Sequence, residues 1–594
     1  SRPGSRAASK RPQDVVRLVR PPGSVTVRFI HINDVYDLKR FPALKTAVGE
    51  LGTSRDADKV VITMGGDFLA PYLLSQLDEG AGMLDCMNSL PVTHCCFGNH
   101  ECDVPHEALL RAIETFRGTW INSNMKGGGF GENARLPMYD IFEALSQDGS
   151  HRRRVGMLGL LCDYPYLYRE GVFNGAVPSI ENVNECCARL CKELVEEQGC
   201  DVVVPMTHQN SQDDEVLAPR GRELRVPLIL GGHDHSEICT APLTPGHSAL
   251  VKAGMDAVKV GVTDLTWDSP DTEWPKVQPN LLTTLDFPAD PSMEEVVNKH
   301  MAKVWAMDLM VACRKPDMEA FVPPGTQLPL SSLDTRTGES SMATFLCTAL
   351  AEAMSVDVAL LDGGSVRAGT DRYHHQVTMS DLKAELPFQN DTVIVPLPGR
   401  VLSEAIRTSR VKAAEKGKYA FLLHCDRGCR VDLVTHCLTV VGHKPFDPDQ
   451  VYTVAIGVDL GVGAGLNEPL MEWAAANGSE IPDFELAQPA RQVLEMFFVR
   501  RLWEQLPSFD MIDERGDNFL WPDEIERAYR GVFYHDQDLD ASQHLAVDEM
   551  VKHLIRCLNK VGDNKVSRAE YDALIHHGKP GETPRATSKA SIRR

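Results

Sequence analysis

Nowhere in the chain do about 18 apolar residues follow one another, so nothing reads as a membrane span. The first 24 residues, basic and rich in Pro, Ser and Arg, lack the apolar core of roughly 7–15 residues that a signal peptide requires. The chain begins with Ser1 rather than Met, which leaves a removed leader open. Positive charge is also scarce: 61 Lys+Arg face 83 Asp+Glu, and a formal charge of -22 repels polyanions, so nucleic acid is not an expected partner. No Cys-x-x-Cys pair occurs among the 16 cysteines, and the doublets Cys95-Cys96 and Cys186-Cys187 sit inside apolar runs. That pattern argues for reduced, buried thiols and a cytoplasmic setting over a secreted disulfide framework, with sequons at Asn390 and Asn477 as the counter-signal. The motifs of P-loop NTPases (G-x-x-x-x-G-K-[ST]), α/β-hydrolases (G-x-S-x-G) and zincins (H-E-x-x-H) are missing too.

What is present is ordinary globular material, 43% hydrophobic and 24% charged over 594 residues, enough for two to four domains at roughly 150 residues each. Residues 1–24 and 578–594 are polar, basic tails with little to bury. From 25 to 287, short apolar runs such as VTVRFIHI, KVVITM, RVGMLGLL, DVVVPM and VPLIL alternate with helical patterns, as in an α/β domain with buried strands. Residues 288–325 read as a linker containing a long helix over 290–312. A second mixed α/β region spans 326–503, and 504–577 alternates helix with Asp/Asn-rich loops.

Five strand ends in the first region carry the same kind of residue. They are Asn33-Asp34 followed by Tyr36, then Asp67, then Asn99-His100 with Asp103, then His208, then His233-Asp234-His235. Ligands collect at the carboxyl ends of strands in open α/β sheets, so these tips are expected to converge. Mixed carboxylate, amide and imidazole donors suit Mn, Zn or Fe rather than an all-oxygen calcium cage.

The ordered set Asp34, Gly66-Asp67, Gly98-Asn99-His100-Glu101, His208 and Gly232-His233-Asp234-His235 resembles the calcineurin-like metallophosphoesterase superfamily. The later Asp362-Gly363-Gly364-Ser365-Val366-Arg367 and Leu386-Pro387-Phe388-Gln389-Asn390 narrow the resemblance to the 5'-nucleotidase family. It implies an α/β (α+β) fold: a four-layer metallophosphatase sandwich, a bridging helix and a C-terminal substrate-binding domain. It also implies hydrolysis of a nucleotide or another phosphate ester by two divalent transition metals. Asp34 and His235 would hold one metal, Asp67 would bridge, and Asn99, His208 and His233 would hold the second. His100, its pKa raised by Asp103, would face the phosphate rather than a metal. Tyr36 stands where the family commonly has a histidine. It enters as a weak ligand of the first metal or as a packing residue.

Recognition of the organic part falls, by the same resemblance, to Arg367, Phe388, Asn390 and Phe421. An Arg fork suits phosphate or sugar oxygens, and a Phe can stack on a base for roughly 1–3 kcal/mol. The glycine-rich loop Gly461–Leu466 lacks the family's aromatic partner. Phosphodiesters and nucleotide sugars are the alternative substrates; a calcium-regulated binding protein on an inactive scaffold is the alternative class.

Calcium enters through 504–577, which resembles EF-hands. Asp513, Asp517 and Glu524 fit one loop with Arg515 at the third position; Asp538, Asp540, Ser542 and Glu549 fit a second loop better; Asn559–Glu570 fits least. A helical bundle with degenerate loops is the other reading of this segment.

Overall fold

The computed structural model describes residues 21–53, 56–168, 171–242, 244–308, 310–388, 390–458, 467–482, 486–533, 541–558 and 565–576. The expected apolar runs of the first region become twelve strands: β1 (Val25–Ile32), β2 (Lys59–Met64), β3 (His94–Cys96), β4 (Thr119–Ile121), β5 (Asp140–Leu145), β6 (Arg152–Leu161), β7 (Val202–Gln209), β8 (Leu228–His233), β9 (Glu237–Thr240), β10 (Ala249–Ala253), β11 (Lys259–Trp267) and β12 (Lys276–Thr283). They form two six-stranded sheets, ordered β12-β11-β1-β2-β3-β4 and β5-β6-β7-β8-β10-β9. Each sheet contains a run of four parallel strands: β1 to β4 in the first, and β6, β7, β8 and β10 in the second.

The period-2 pattern of the strands explains why two layers form. In β7, Val202, Val204 and Met206 face the other sheet, where they meet Val25, Val27, Phe29 and Val61 in one buried core. Val203 points the other way, onto the helix Val183–Glu196 through Cys186, Cys187, Leu190, Cys191 and Leu194. That helix starts where Asn182 accepts the backbone N–H groups of Asn184 and Glu185, at 3.1 and 3.2 Å. Its buried positions recur at the 3.6-residue period, and each buried Leu contributes roughly 1.5–3 kcal/mol. Because β7 is buried on both faces, the alternation of polar and apolar residues disappears from its sequence, and only its end is polar.

The chain divides into two units between Glu294 and Glu295, and Ala70–Gly82 belongs to the second. The helix expected over 290–312 is shorter, Pro291–Asp308, because Val311–Arg314 leaves it to pair with Gln376–Thr378. The second unit contains a five-stranded sheet ordered Leu423–Cys425, Val358–Asp362, Val451–Gly457, Asp391–Pro398 and Gln488–Pro489.

A correction applies to one of the calcium loops expected in 504–577, the loop 538–549. The helix Ala541–Leu558 begins at the fourth position of that loop and takes in Ser542, so residues 538–549 do not form a twelve-residue loop; Asp538 and Asp540 lie outside the described residues. Val547, Met550, Val551, Leu554 and Ile555 repeat at helical spacing and are buried, and that apolar stripe overrides the acidic spacing. Glu549 is itself buried and accepts from Lys552 at 2.9 Å. The loop holding Asp513 pairs with the segment expected to fit least, through Phe519↔Ser567 and Leu520↔Val566.

Candidate functional site

At the carboxyl ends of β1, β2, β7 and β8, and just beyond β3, the polar tips meet. Single donor atoms of Asp34, Asp67 and His208, all buried, lie within 4.8 Å of one another. Asn99, on the turn Asn99–Asp103, brings its Oδ1 to 3.1 Å from His208 Nε2 and 2.9 Å from His233 Nδ1. His208 Nε2 is also 3.1 Å from Asp67 Oδ2. Its other nitrogen, Nδ1, donates to the Gly65 carbonyl at 2.7 Å, which fixes the ring and turns Nε2 toward the carboxylates. His235 Nε2 lies 3.8 Å from Asp34 Oδ1 and 3.1 Å from the Tyr36 hydroxyl, which in turn donates to Asp67 Oδ2 at 3.3 Å.

Four of these residues occupy backbone conformations that side chains rarely adopt. Asp34, Asp67, His233 and His235 have φ of 52°, 54°, 90° and 52°. Left-handed backbone at non-glycine residues costs of order 1–3 kcal/mol each and persists where the surroundings enforce it. Here the enforcement is visible. Glu101, fully buried, accepts the backbone N–H groups of Asp67, Phe68 and Leu69 at 2.9, 2.8 and 3.1 Å, and that of Gly98 at 2.5 Å. Asn33 donates to Asp34 Oδ2 at 2.5 Å and accepts from the backbone of Ala253 at 2.7 Å. Close approach also demands a glycine at 232, where a Cβ would lie 2.5 Å from the Gly65 carbonyl oxygen.

Electrostatics follow from this crowding. Burial pushes the Asp67 carboxyl up, but His208 and His100 outweigh it and hold Asp67 below the usual carboxylate range. Burial disfavours charge on His208, but Asp67 and Asp34 outweigh that and raise its pKa. His233, buried and beside His208, is held well below the ordinary histidine value. Burial and Asp67 together push the Glu101 carboxyl up. Two buried carboxylates, an amide oxygen and imidazoles at these distances form a donor set that fits a divalent transition metal.

His100 stands apart from the donor atoms. Its backbone N–H donates to Asp67 Oδ1 at 2.7 Å, while its Nδ1 is 2.7 Å from Asp103 Oδ2. The ring is partly exposed and lies edge-on to Tyr36, 6.2 Å between centroids.

In the second unit, Arg367, Phe388, Asn390 and Phe421 line one cavity of about 400 Å³, with Arg336 and Asp362. The Arg367 guanidinium sits 5.0 Å from the Phe388 ring centroid, a cation–π contact. Phe388 is 49% exposed, whereas Phe421 packs against Tyr419. Gln389 and the loop Gly461–Leu466 lie outside the described residues.

The candidate calcium loop brings Asp513, Asp517 and Glu524 together and occupies each with N–H donors. Asp513 accepts from Gly516, Asp517 and Asn518; Asp517 accepts from Phe519 and the Trp521 indole; Glu524 accepts from Arg515 and Trp521. Arg515 pairs with Asp523 at 2.9 Å.

Asn33 and Glu101 stand in the sequence motifs, which assign them no role of their own; Asp256, which accepts the Tyr36 backbone N–H at 2.8 Å, carried no signal, since its partner comes from a distant segment.

Residues 27–237 match the calcineurin-like phosphoesterase family, and residues 322–457 match the 5'-nucleotidase, C-terminal domain family. A 5'-nucleotidase of Vibrio parahaemolyticus is 20% identical over 462 residues, 70% of this chain and 78% of that protein. One from Vibrio vulnificus is 24% identical over 209 residues, 33% of this chain; the match spans only 36% of that relative's length. Among solved structures, a Haemophilus influenzae NAD nucleotidase shares the fold with a TM-score of 0.58 at 15% identity, covering 80% of this chain and 96% of that one.

Proposed function

The chain is a calcineurin-like phosphoesterase joined to a 5'-nucleotidase C-terminal domain, and from that premise we propose that it releases phosphate from nucleotides. The observation that carries this reading is the meeting of Asp34, Asp67, Asn99 and His208 from separate strand ends in one buried space. Asp34, His235 and Tyr36 would hold one divalent metal, Asn99, His208 and His233 a second, with Asp67 shared between them. When bound, Mn, Zn or Fe supplies positive charge that neutralises the phosphoryl oxygens and acidifies the attacking water.

The chain's own residues do the rest. Glu101 holds the backbone on either side of Asp67, so the shared carboxylate cannot swing away during turnover. Asp103 orients the His100 ring and balances positive charge on it, and His100 donates to a phosphoryl oxygen or to the departing ester oxygen. Arg367 and Phe388 hold the organic part, the guanidinium through oxygen atoms and the exposed ring by stacking on the base. With no aromatic in Gly461–Leu466, the base is held by one ring, and broad base tolerance with a high KM follows.

The test is phosphate release by Mn-loaded protein from AMP, GMP, UMP and a simple chromogenic phosphate ester. Release from the nucleotides with no base preferred beyond about 100-fold, about 2.7 kcal/mol, is expected. Phosphodiesters or nucleotide sugars cleaved in preference to all three would replace nucleotides as substrate; no turnover of any ester by metal-loaded protein would sink the hydrolase reading.

A further inference from the structure

We infer that Lys252 is a positioning residue of the metal centre, an internal cation that ties together the two strand ends presenting His208, His233 and His235. The inference rests on the proposed metal-binding reading of that site.

Lys252 comes from β10, beyond β8 in the sheet, and its side chain is wholly buried. To reach β7 it must cross β8, and it does so over Gly231, where a Cβ would stand 2.6 Å from Lys252 Cε and 2.9 Å from Cγ. The adjacent glycines 231 and 232 therefore serve different ends: the first makes room for a lysine, the second for the Gly65 carbonyl. At the far side the ammonium donates to the carbonyl of Gln209 at 2.7 Å and to that of Gly232 at 2.9 Å. Gln209 follows His208, and Gly232 precedes His233. One ammonium thus clamps the backbone beside ligands on two strands.

Two carboxylates complete the arrangement. Asp214 Oδ2 lies 3.1 Å and Asp234 Oδ2 3.2 Å from the ammonium. Asp234 also accepts the backbone N–H of Ser211 at 2.7 Å and its hydroxyl, so the middle residue of His233-Asp234-His235 is committed to Lys252 and Ser211. His233 and His235, on either side of it, both have left-handed backbone, which needs an external hold to persist. Lys252 supplies that hold from both sides of His233, through the Gly232 carbonyl and the Asp234 carboxylate. Partners that orient ligands in this way typically change metal affinity by about 10–100-fold when removed.

Replacing Lys252 alone would strand the buried Asp214 carboxylate and destabilise the fold for reasons unrelated to metal. Lys252→Met is therefore compared with the double variant Asp214→Asn/Lys252→Met, in which the fully buried carboxylate is neutralised as well and Asp234 keeps its two hydrogen bonds from Ser211. For each full-length protein, the Mn²⁺ dissociation constant is measured by calorimetry, and unfolding is measured in metal-free buffer. The expected result is that the double variant recovers most of the wild-type unfolding temperature yet binds Mn²⁺ about 10–100-fold more weakly. Wild-type affinity in the double variant would overturn the inference and leave Lys252 a structural residue only. Failure of the wild type itself to bind Mn²⁺ would overturn the metal reading and this inference with it, a result distinguishable because it precedes any substitution.

Discussion

Asp34 and Asp513 are both acidic residues that the sequence offers to a metal, and the two units treat them in opposite ways. Asp34 accepts the backbone N–H of His233, 199 positions along the chain, and lies among imidazoles from other strands. Asp513 accepts N–H groups 3, 4 and 5 residues ahead of it. The first carboxylate is placed between strand ends of two sheets; the second is satisfied by its own loop. A metal centre therefore depends less on how acidic a segment is than on whether rigid elements aim several donors at one point. In the loop, the third position is Arg515, a cation where an oxygen would be needed, and its guanidinium pairs with Asp523.

Paired substitutions test this contrast most severely. Asp67→Asn should abolish both Mn²⁺ retention and phosphate release, whereas Asp513→Asn should leave both near wild type. Elemental analysis after gel filtration, alongside steady-state kinetics, checks each; equal effects would erase the distinction. His100→Ala should lower kcat by roughly 10²–10⁴ while metal content stays near wild type, as its proposed role on transition-state charge requires. Metal lost together with activity would reassign it as a ligand.

Phe388→Ala should weaken kcat/KM for nucleotides by about 1–3 kcal/mol and leave a simple phosphate ester unaffected. A parallel loss on both substrates would show that the ring supports the fold rather than the base. A third kind of carboxylate sharpens the comparison. Glu495 is buried on the helix Ala490–Trp503 with Arg491 only 3.6 Å away, and burial, opposed by Arg491, pushes its pKa to about 7. Its neutral form is favoured in the folded state, so its stabilising contribution is fully present below pH 4.5 and is lost as pH rises through about 7. Glu495→Gln should therefore gain about 3 kcal/mol over wild type at pH 8, about 2.5 pKa units at 1.36 kcal/mol each, and little at pH 4.5; denaturant titrations at both values decide it. The smallest expected effect is calcium's: titration below about 1 mM should show no saturable binding to the 504–577 region and no change in turnover.

Much of this was legible before any coordinates. An apolar run ending in Asn33-Asp34, Asp67, Asn99-His100, His208 or His233-Asp234-His235 announces both a buried strand and a functional tip, because strand periodicity and ligand chemistry are local properties. The pairing of 519–520 with 566–567 was not legible, since acidic spacing within twelve residues cannot say which loop lies beside which. The helix Ala541–Leu558 is legible in its apolar stripe, over which an acidic spacing is superimposed.

The amino-acid order by itself determined the buried strands and the sequence of polar tips, because each follows from neighbours a few positions apart. Only the tertiary structure decided that Glu101 holds the backbone of Asp67, that Asp34 and His235 share one space, and that Lys252 crosses Gly231 to reach the carbonyls beside His208 and His233. The physical reason is that burial changes what a charge can do. In water Lys252, Asp214 and Asp234 would each be hydrated separately; packed between strands, they are answered by one another and by a few fixed polar groups, the Gln209 amide and the Ser211 hydroxyl among them.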